Sequence, residues 1–259
     1  MANKLAIVTG ASSGIGLELA KLCAREGFDL LIAADTPIDQ AAAELRALGA
    51  GVQTVEVDLS MTEGVDQLLE RTGGRPVDAL LANAGHGLGK AFMDQDWQDI
   101  RHVIDTNIVG TTYLVHRVGR DMRARGQGRI LITGSIAGFE VGAFQAVYNA
   151  SKAYDDSFAA AIRNELKDSG VTVTCLMPGA TETEFFERAE LEDTKVGQSD
   201  KMDPADVVEQ GFKAMMDGDA GVITGWKNKM TVAMSRIMAS SAQAEQHRKQ
   251  AEPGSAFKN

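Results

Sequence analysis

Two side chains with complementary acid–base chemistry lie four residues apart in the sequence. Tyr148 and Lys152 fall in a predicted helix over Tyr148–Lys167, so they would share one face, about one turn apart. A phenol has a pKa of about 10 and is a poor base at neutral pH. A neighbouring ammonium group stabilises the phenolate, so Tyr148 could take a proton from an alcohol or give one to a carbonyl oxygen. Alone, such a pair is also common on solvated helix faces.

A serine upstream supports the chemical interpretation. Ser135 follows a predicted strand, Ile130–Thr133, and precedes Tyr148 in the chain. Its hydroxyl would hydrogen-bond the same substrate oxygen and hold it for transfer. The three residues together indicate proton exchange with a carbonyl/alcohol pair.

A glycine-rich turn joins the first predicted strand, Leu5–Val8, to the first predicted helix, Ile15–Glu26. Gly10, Gly14 and Gly16 allow a tight turn, close approach of the backbone to a pyrophosphate, and tight packing of helix on strand. The helix N-terminus offers free N–H groups and a positive dipole end to phosphates. The turn therefore predicts a dinucleotide site.

An acidic residue indicates which dinucleotide is bound. Asp35 follows the second predicted strand, Leu30–Ala33, about 20 residues beyond Gly16. A carboxylate there accepts hydrogen bonds from the adenosine ribose and repels a 2′-phosphate. No arginine or lysine lies in Ala11–Ser13 or directly after Asp35. We expect NAD, with NADP as the alternative; the other interpretation of Asp35 is a helix cap or turn residue.

Short apolar runs alternate with helical patterns along the chain, and most of the runs are continuous, as in a parallel sheet covered on both faces. The alternation predicts a doubly wound α/β sheet with right-handed crossovers, and the lack of a linker predicts a single domain over residues 1–259. The predicted strands are Leu5–Val8, Leu30–Ala33, Val52–Val57, Ala79–Ala82, Ile130–Thr133, Val171–Leu176 and Val222–Thr224. The predicted helices are Ile15–Glu26, Asp39–Leu48, Thr62–Arg71, Asp94–Arg123, Tyr148–Lys167 and Pro204–Met216.

Two of these helices begin with a capping signal. Asp203 precedes Pro204, which predicts an N-cap followed by proline at the first helical position. Ser60 and Glu63 have the spacing of a capping box.

The motifs occur in the order found in the short-chain dehydrogenase/reductase family, which the sequence resembles over about residues 4 to 225. Thr9–Gly16 has the TGxxxGxG spacing, and Asn83–Gly85 matches the NAG motif. Tyr148–Lys152 matches YxxxK with Ser135 upstream, and Pro178-Gly179 follows the sixth strand. The resemblance implies a single-domain Rossmann fold, a doubly wound seven-stranded parallel sheet with helices on both faces. It also implies NAD(P)-dependent hydride transfer between nicotinamide and a ketone or secondary alcohol.

The resemblance further implies roles for single residues. Asn107 would complete a catalytic tetrad with the serine, the tyrosine and the lysine, and keep a water in a proton relay. Asp58 would lie by the adenine and Thr183 by the nicotinamide half. The implied cofactor-binding set is Gly10, Ser12, Ser13, Gly14, Ile15, Gly16, Asp35, Asp58, Leu59, Asn83, Ala84, Gly85, Tyr148, Lys152, Pro178, Gly179, Thr181 and Thr183.

Four residues beside the motifs are candidates for substrate contact: His86, Ala137, Gln145 and Phe185. His86 directly follows the NAG motif, and a loop histidine without a role is its other interpretation. Gln145 falls in the segment that borders substrate in the family. No metal is predicted, because the other histidines show no ligand spacing: His102, His116 and His247.

Residues 184–202 have the place of the family's mobile substrate lid. The segment begins with Phe185-Phe186 and is rich in acids. It is either an apolar lid over a ketone, with acids that disfavour anionic substrates, or a solvated helix face.

The C-terminal region departs from the common family ending. A helical extension over about residues 226–250 has an amphipathic stripe, expected to pack on the protein's own core or on a sister subunit. A peripheral membrane contact is the alternative, and the tail over residues 252–259 is expected to fray. The stripe consists of Trp226, Met230, Ala233, Met234, Ile237 and Met238.

Composition excludes several classes of protein. The 259 residues carry a formal net charge of −10, which argues against nucleic-acid binding. No stretch reaches the roughly 18 apolar residues of a membrane span. The two cysteines, Cys23 and Cys175, are expected to be small buried residues.

We expect a cytoplasmic homodimer or homotetramer that acts on a small ketone or alcohol. The rival hypothesis is a cofactor-binding regulator or scaffold without turnover, and the intact Ser–Tyr–Lys set argues against it.

Overall fold

The computed structural model describes residues 3–257, and its centre is a parallel sheet. The seven strands lie in the order β3-β2-β1-β4-β5-β6-β7, and every neighbouring pair is parallel. The order reverses between β1 and β4, which opens a crevice at the carboxyl ends of the strands. The strands are β1 (Leu5–Thr9), β2 (Asp29–Ala34), β3 (Val52–Glu56), β4 (Ala79–Ala82), β5 (Gly128–Thr133), β6 (Val171–Met177) and β7 (Gly221–Ile223).

Helices cover both faces of the sheet, so the predicted doubly wound, seven-stranded fold is confirmed. One face packs against α1, α2 and α8, and the other against α3, α5 and α6. Among the described residues, none of the helices combines the length and the apolar composition that a bilayer crossing requires. The helices are α1 (Gly14–Arg25), α2 (Asp39–Ala47), α3 (Thr62–Glu70), α4 (Trp97–Ile104), α5 (Thr111–Arg125), α6 (Ala146–Glu165), α7 (Phe185–Arg188), α8 (Pro204–Asp217), α9 (Trp226–Ser235) and α10 (Ser240–Ala251).

The continuous apolar strands have the predicted cause. In β1, Ala6 and Val8 belong to the core under α1 and α8, whereas Leu5 and Ile7 belong to the core on the opposite face. All four side chains are buried. Because successive residues of a strand point to opposite faces, a strand covered on both sides must be apolar throughout.

The long helix predicted over Asp94–Arg123 is confirmed from Trp97 onwards, but it is not one regular α-helix. A 3₁₀ turn over Phe92–Asp94 precedes α4, which begins after Asp96, whose side chain caps the Gln98 N–H at 2.7 Å. A π-helical turn over Asp105–Gly110 then separates α4 from α5. Such turns widen a helix locally and often occur at functional sites.

One of the two predicted caps is confirmed. The side chain of Asp203 accepts a hydrogen bond from the Ala205 N–H at the start of α8. The capping box at Ser60 is wrong, because α3 begins one residue later and has no side-chain cap. The Ser60 N–H instead donates to Asp58, 2.8 Å away, so the aspartate forms the turn.

The cysteines are confirmed as small buried residues. Cys23 in α1 and Cys175 in β6 are free thiols. Burial raises the pKa of Cys23 to about 12, so it stays a neutral thiol at physiological pH.

The C-terminal extension forms two helices, but the predicted stripe does not pack on the protein's own core. Trp226 and Ile237 are 67% and 80% exposed, and Met230 and Met234 are exposed as well. Instead, α9 buries Val232. Only every third or fourth position of α9 faces the core, and the residues of the stripe lie on the face of α9 that points away from the core.

The tail is ordered as far as residue 257, contrary to the expected fraying. Gly254 donates its N–H to the Asp193 carboxylate at 2.7 Å, and Ala256 donates to the Asp193 carbonyl at 3.1 Å. Ser255 is buried in a short 3₁₀ turn. The last two residues lie outside the described part of the chain.

Candidate active site

A cavity of about 450 Å³, here called the main cavity, opens at the carboxyl ends of the strands. It lies at the switch point between β1 and β4, where a doubly wound sheet binds its ligand. Every residue predicted to bind cofactor or substrate lines it, and so do three members of the predicted tetrad. The fourth, Asn107, is fully buried behind its wall.

The glycine turn is held by contacts that leave no room for side chains. A Cβ at Gly16 would lie 2.0 Å from the Gly10 carbonyl oxygen, so the two backbones touch. Asn83 donates from its side chain to the Thr9 carbonyl at 3.1 Å. Ser13 occupies the N-cap of α1 without capping it, so the first N–H groups of the helix are available to an anion.

Asp35 lies beside two histidines at the outer end of the main cavity. The ring of His86 donates from Nε2 to the Asp35 carboxylate at 3.1 Å, and it packs on the ring of His102 at 4.4 Å. This hydrogen bond lowers the pKa of Asp35, burial opposes the shift, and the charges of His86 and Arg188 add to it. Asp35 is therefore an anion at neutral pH.

These three side chains also have ligand atoms within 4.8 Å of one another. No ligand spacing in the sequence marks this cluster, because Asp35, His86 and His102 come from three separate segments of the chain. Their meeting is a product of the fold.

Arg188 connects the lid to the glycine turn. Its guanidinium lies 3.4 Å from the Ser13 hydroxyl and pairs with Glu184, the residue that precedes α7. Ser13 donates to Glu184 at 3.2 Å. The residues adjacent in sequence to the glycine turn and to Asp35 supply no cation for a 2′-phosphate, but the fold brings Arg188 to this end of the cavity.

Ser135 follows β5 and is held from three sides. Its hydroxyl accepts a hydrogen bond from the Ala137 N–H at 3.1 Å and donates to the Pro178 carbonyl at 3.3 Å. Its own N–H donates to Asp156 on α6 at 3.3 Å. The side chain is thus fixed at the rim of the main cavity.

Tyr148 and Lys152 lie on one face of α6, as predicted. Lys152 is buried, and its ammonium donates to the Thr133 carbonyl at 2.8 Å and to Asp155 at 3.1 Å. Burial alone would lower the pKa of Lys152, but the Asp155 carboxylate and the Tyr148 phenol raise it above its usual value. The lysine is therefore a permanent cation beside the phenol.

The pKa of Tyr148 is raised. Burial is the main cause, and the nearby charge of Lys152 and the Ser135 hydroxyl oppose it. The carboxylates of Asp155 and Asp156 add to the rise. At neutral pH the phenol carries its proton, so it is in the form that can donate to a carbonyl oxygen.

Asn107 holds the loop that follows β4. Its side chain accepts from the His86 N–H at 2.8 Å and donates to the His86 carbonyl at 3.0 Å and to Ser151 at 2.9 Å. A Cβ at Gly85 would lie 3.2 Å from Asn107 Oδ1 and 3.5 Å from Lys152 Nζ. The asparagine and the lysine thus approach the same glycine, and the π-helical turn directs Asn107 inward.

The predicted substrate residues meet at the inner half of the cavity. The ring of Phe185 packs on Tyr148 with centroids 5.1 Å apart and on Phe186 at 5.4 Å. A Cβ at Gly87 would collide with Phe185, so the loop after β4 lies directly against the lid. Gln145 is buried at the start of α6.

The C-terminal helix α10 covers this half of the site. Gln243 accepts a hydrogen bond from the Val141 N–H at 3.2 Å, and His247 Nδ1 donates to the Ala143 carbonyl at 2.7 Å. The Val196 N–H in the lid donates to the Gln250 carbonyl at 3.0 Å. The extension thereby joins the lid to the segment between Ser135 and Tyr148.

A second cavity of about 470 Å³, here called the distal cavity, adjoins the main cavity. Its far wall is formed by Trp226, Met230, Met234 and Met238. The residues that line both cavities, here called the neck, are Glu140, Thr231, Gln246, His247 and Gln250.

Sequence reasoning missed the neck and Arg188. No motif marks these positions, and they reach the cavity only through the packing of the extension and the lid. Asp155 had a usable signal, because it lies three residues after Lys152 on a helix and must share its face.

Similar proteins agree with this architecture. Residues 4–194 match the family model for short chain dehydrogenases. An uncharacterized oxidoreductase of Myxococcus xanthus is 34% identical over 246 residues, which cover 92% of this chain and 94% of that protein. One from Staphylococcus saprophyticus is 34% identical over 218 residues, with 82% and 91% covered.

Two solved structures extend the comparison to the fold. A short-chain dehydrogenase from Sphingobium yanoikuyae in complex with NADPH is 27% identical, with a TM-score of 0.80 and coverage of 92% of this chain and 97% of that one. A Burkholderia phymatum short chain dehydrogenase/reductase in complex with NAD is 24% identical, with a TM-score of 0.82 and coverage of 89% and 92%. This chain therefore belongs to the short chain dehydrogenase family of NAD(P)-dependent oxidoreductases.

Proposed function

We propose that the protein interconverts a ketone and a secondary alcohol with NAD as its preferred cofactor. The observation that carries the proposal is the convergence of Ser135, Tyr148 and Lys152 on one cavity. The tyrosine is protonated at neutral pH and the lysine is a cation beside it. This arrangement can donate a proton to one oxygen atom and hold that oxygen in place.

The residues fit a dinucleotide. The turn at Gly10–Gly16 has no space for side chains, and the uncapped N-terminus of α1 faces the cavity. These N–H groups would hold the phosphates, Asp35 the adenosine ribose, and Lys152 the nicotinamide ribose. When bound, the nicotinamide ring supplies or accepts the hydride.

The chain's own part is the proton and the orientation of the substrate. In the reducing direction the Tyr148 hydroxyl donates its proton to the carbonyl oxygen. The Ser135 hydroxyl turns its proton from the Pro178 carbonyl to the same substrate oxygen. Lys152 stabilises the phenolate that remains. The ring of Phe185 covers Tyr148, which limits the access of water. Asn107 supports this geometry by fixing the backbone at His86.

The preference for NAD is supported by the charge of Asp35. The anion repels a 2′-phosphate, while His86 and Arg188 lie close enough to lower its pKa. The preference therefore depends on whether Asp35 outweighs the nearby guanidinium of Arg188. Cytoplasmic location and assembly as a homodimer or homotetramer stay predictions from the sequence.

The test begins with two titrations of the purified protein, one with NADH and one with NADPH, followed by nicotinamide fluorescence. Wild type is expected to bind NADH more tightly, and Asp35→Ala is expected to lose that preference. Equal affinities for wild type would contradict the NAD preference and leave the family assignment intact.

Turnover is tested with Tyr148→Phe on a panel of ketones and secondary alcohols. The variant is expected to bind NADH with a Kd close to that of wild type. Its kcat is expected to fall by about 10²- to 10⁴-fold, the usual contribution of a general acid. If wild type has no more activity than the variant on every member of the panel, the protein is a cofactor binder without turnover on this class.

A further inference from the structure

We infer that the substrate carries a neutral, apolar tail that leaves the main cavity through the neck and lies in the distal cavity. This inference rests on the proposed function and names its substrate class, a ketone or secondary alcohol with an extended hydrocarbon tail. The reacting carbonyl would lie at Tyr148, and the tail would contact Trp226, Met230 and Met234.

The two cavities are adjacent. The five residues of the neck line both of them, so a ligand that displaces these side chains would extend from one cavity into the other. The main cavity must hold a dinucleotide and the reacting end of a substrate. A large substrate therefore needs further space, and the distal cavity of about 470 Å³ supplies it.

The wall of the distal cavity determines the chemistry of the tail. Trp226, Met230 and Met234 follow one side of α9 and span about 12 Å along the helix axis. Methionine side chains are flexible and polarisable, so they adapt to apolar ligands of different shape. All three are more than half exposed although they line a concave surface, which leaves apolar area for a ligand to cover.

The neck selects against charged tails. The Glu140 carboxylate has no hydrogen-bond or ion-pair partner among the described residues, and burial raises its pKa. His247 donates from Nδ1 to the Ala143 carbonyl, and burial lowers its pKa, so the ring is neutral. A carboxylate tail would meet Glu140 in the neck, where no lysine or arginine lies, whereas a hydrocarbon tail passes without that repulsion. Lys227 lines the distal cavity beyond the neck, and it is exposed to solvent.

The extension is fixed in the position that this role requires. His247 and Gln243 attach α10 to the segment after Ser135, and the Gln250 carbonyl attaches it to the lid. The distal cavity is therefore bordered by the same elements that border the reacting centre. Closure of the lid over a substrate would also close the neck around its tail.

The experiment uses two methyl ketones of different length, 2-butanone and 2-decanone, with wild type and NADH. A buried methylene group contributes a factor of about four. The longer ketone is therefore expected to have a kcat/KM at least about 30-fold above that of the shorter one, since three buried methylenes suffice. In Met230→Glu and Met234→Glu this ratio is expected to fall at least about tenfold, because a carboxylate replaces apolar contact area.

The matched control is Ile237→Glu. Ile237 is 80% exposed, lies just beyond α9, and does not line either cavity. The same change of an apolar side chain to a carboxylate is expected to leave the ratio unchanged. Thermal unfolding of all three variants checks that each is folded.

A binding measurement separates failure of this inference from failure of the proposed function. The chain has two tryptophans, so Trp97→Phe leaves Trp226 as the only one. With NAD⁺ present, 2-decanone is expected to shift the Trp226 emission to shorter wavelength, and 2-butanone is not. This test needs no turnover, so it decides the tail site even if neither ketone is reduced.

Two results would overturn the inference. One is an equal kcat/KM for both ketones together with an unchanged Trp226 emission. The other is a ratio of kcat/KM for 2-decanone to kcat/KM for 2-butanone that is the same in wild type and in every glutamate variant, together with a sedimentation coefficient that is lower in every variant than in wild type. That outcome would make this face of α9 a contact between copies of the chain.

Discussion

The ammonium group of Lys152 lies 3.1 Å from the carboxylate of Asp155, and both side chains are buried. The pair is local, three residues apart on α6, and Thr133 provides the second acceptor for the lysine at 2.8 Å. One carboxylate oxygen of Asp155 has no hydrogen-bond partner among the described residues. Lys152, beside Tyr148, is thus held by the Asp155 carboxylate, and the lysine is the only side chain among the described residues that donates a hydrogen bond to this carboxylate.

Removal of Asp155 is expected to destabilise the fold. Asp155→Ala leaves a buried ammonium without its counter-ion, which typically costs about 3–5 kcal/mol. Urea unfolding of the variant measures the change in the free energy of unfolding. A loss below about 1 kcal/mol would mean that Thr133 and water satisfy the lysine without the carboxylate.

The double variant Lys152→Met/Asp155→Leu separates stability from catalysis. Replacing a buried ion pair by apolar residues of similar volume is often neutral. The double variant is therefore expected to recover most of the stability lost in Asp155→Ala, while reductase activity stays lost because Lys152 is absent. If stability does not recover, the loss in Asp155→Ala arises from packing.

Asp156 is expected to set the pH dependence of alcohol oxidation. Burial raises the pKa of Asp156 to about 6, against the hydrogen bonds from Cys175 and the Ser135 N–H. Above that pH its negative charge helps to raise the pKa of Tyr148. In Asp156→Asn the phenol should lose its proton at lower pH, so the rise of oxidation rate with pH should shift to lower pH.

The pH–rate profile of kcat/KM for a secondary alcohol measures this shift. Wild type should show an inflection near pH 6 that the variant lacks. An unchanged profile would mean that the charge of Asp156 does not alter the pKa of Tyr148.

Stability gives a second readout with a defined sign. A carboxyl whose folded-state pKa lies above its unfolded value stabilises the fold at low pH, and this contribution is lost as the pH rises through about 6. Asp156→Asn should therefore raise the free energy of unfolding at about pH 8, by about 3 kcal/mol, and have little effect at about pH 4. A variant that is equally destabilised at both pH values would indicate lost hydrogen bonds.

Local patterns predicted the central part of the site because its residues are close in sequence or follow successive strands. The spacing of Tyr148 and Lys152 is preserved by any helix, and the ends of parallel strands meet at one edge. Ser135 and the glycine turn therefore converge as expected. The interrupted helix around Asn107 was not predictable, because a π-helical turn has the same apolar periodicity as its neighbours within a few residues.

The outer parts of the site depend on tertiary packing that no local pattern encodes. Arg188 reaches Ser13 across 175 residues of sequence, and His247 reaches Ala143 across 104. The stripe on α9 has helical spacing, but spacing cannot say whether an apolar face meets a core, a ligand or another chain. The exposure of Trp226 excludes the core, one of the two expected packing partners of the stripe, and a sister subunit stays a prediction.

Arg188 is expected to couple the lid to cofactor binding. Its guanidinium lies 3.4 Å from the Ser13 hydroxyl at the start of α1, where phosphates would bind, and its partner Glu184 brings a negative charge to the same place. Arg188→Gln should raise the Kd of NADH about tenfold, because a cation near the phosphates is lost. Glu184→Gln should lower that Kd, because the carboxylate that competes with the phosphates for Arg188 becomes neutral. The opposite signs distinguish an electrostatic role from loss of lid structure, which would weaken binding in both variants.

Salt dependence and a distant control complete this prediction. If Arg188 acts through charge, the difference in NADH affinity between wild type and Arg188→Gln should shrink as ionic strength rises, because the partly exposed guanidinium is screened. Lys213→Gln removes a positive charge from α8, where Lys213 pairs with Asp217 away from the main cavity, and should leave the affinity unchanged. Should both single variants of the lid bind NADH as wild type does, the lid contacts Ser13 without contributing to the cofactor site.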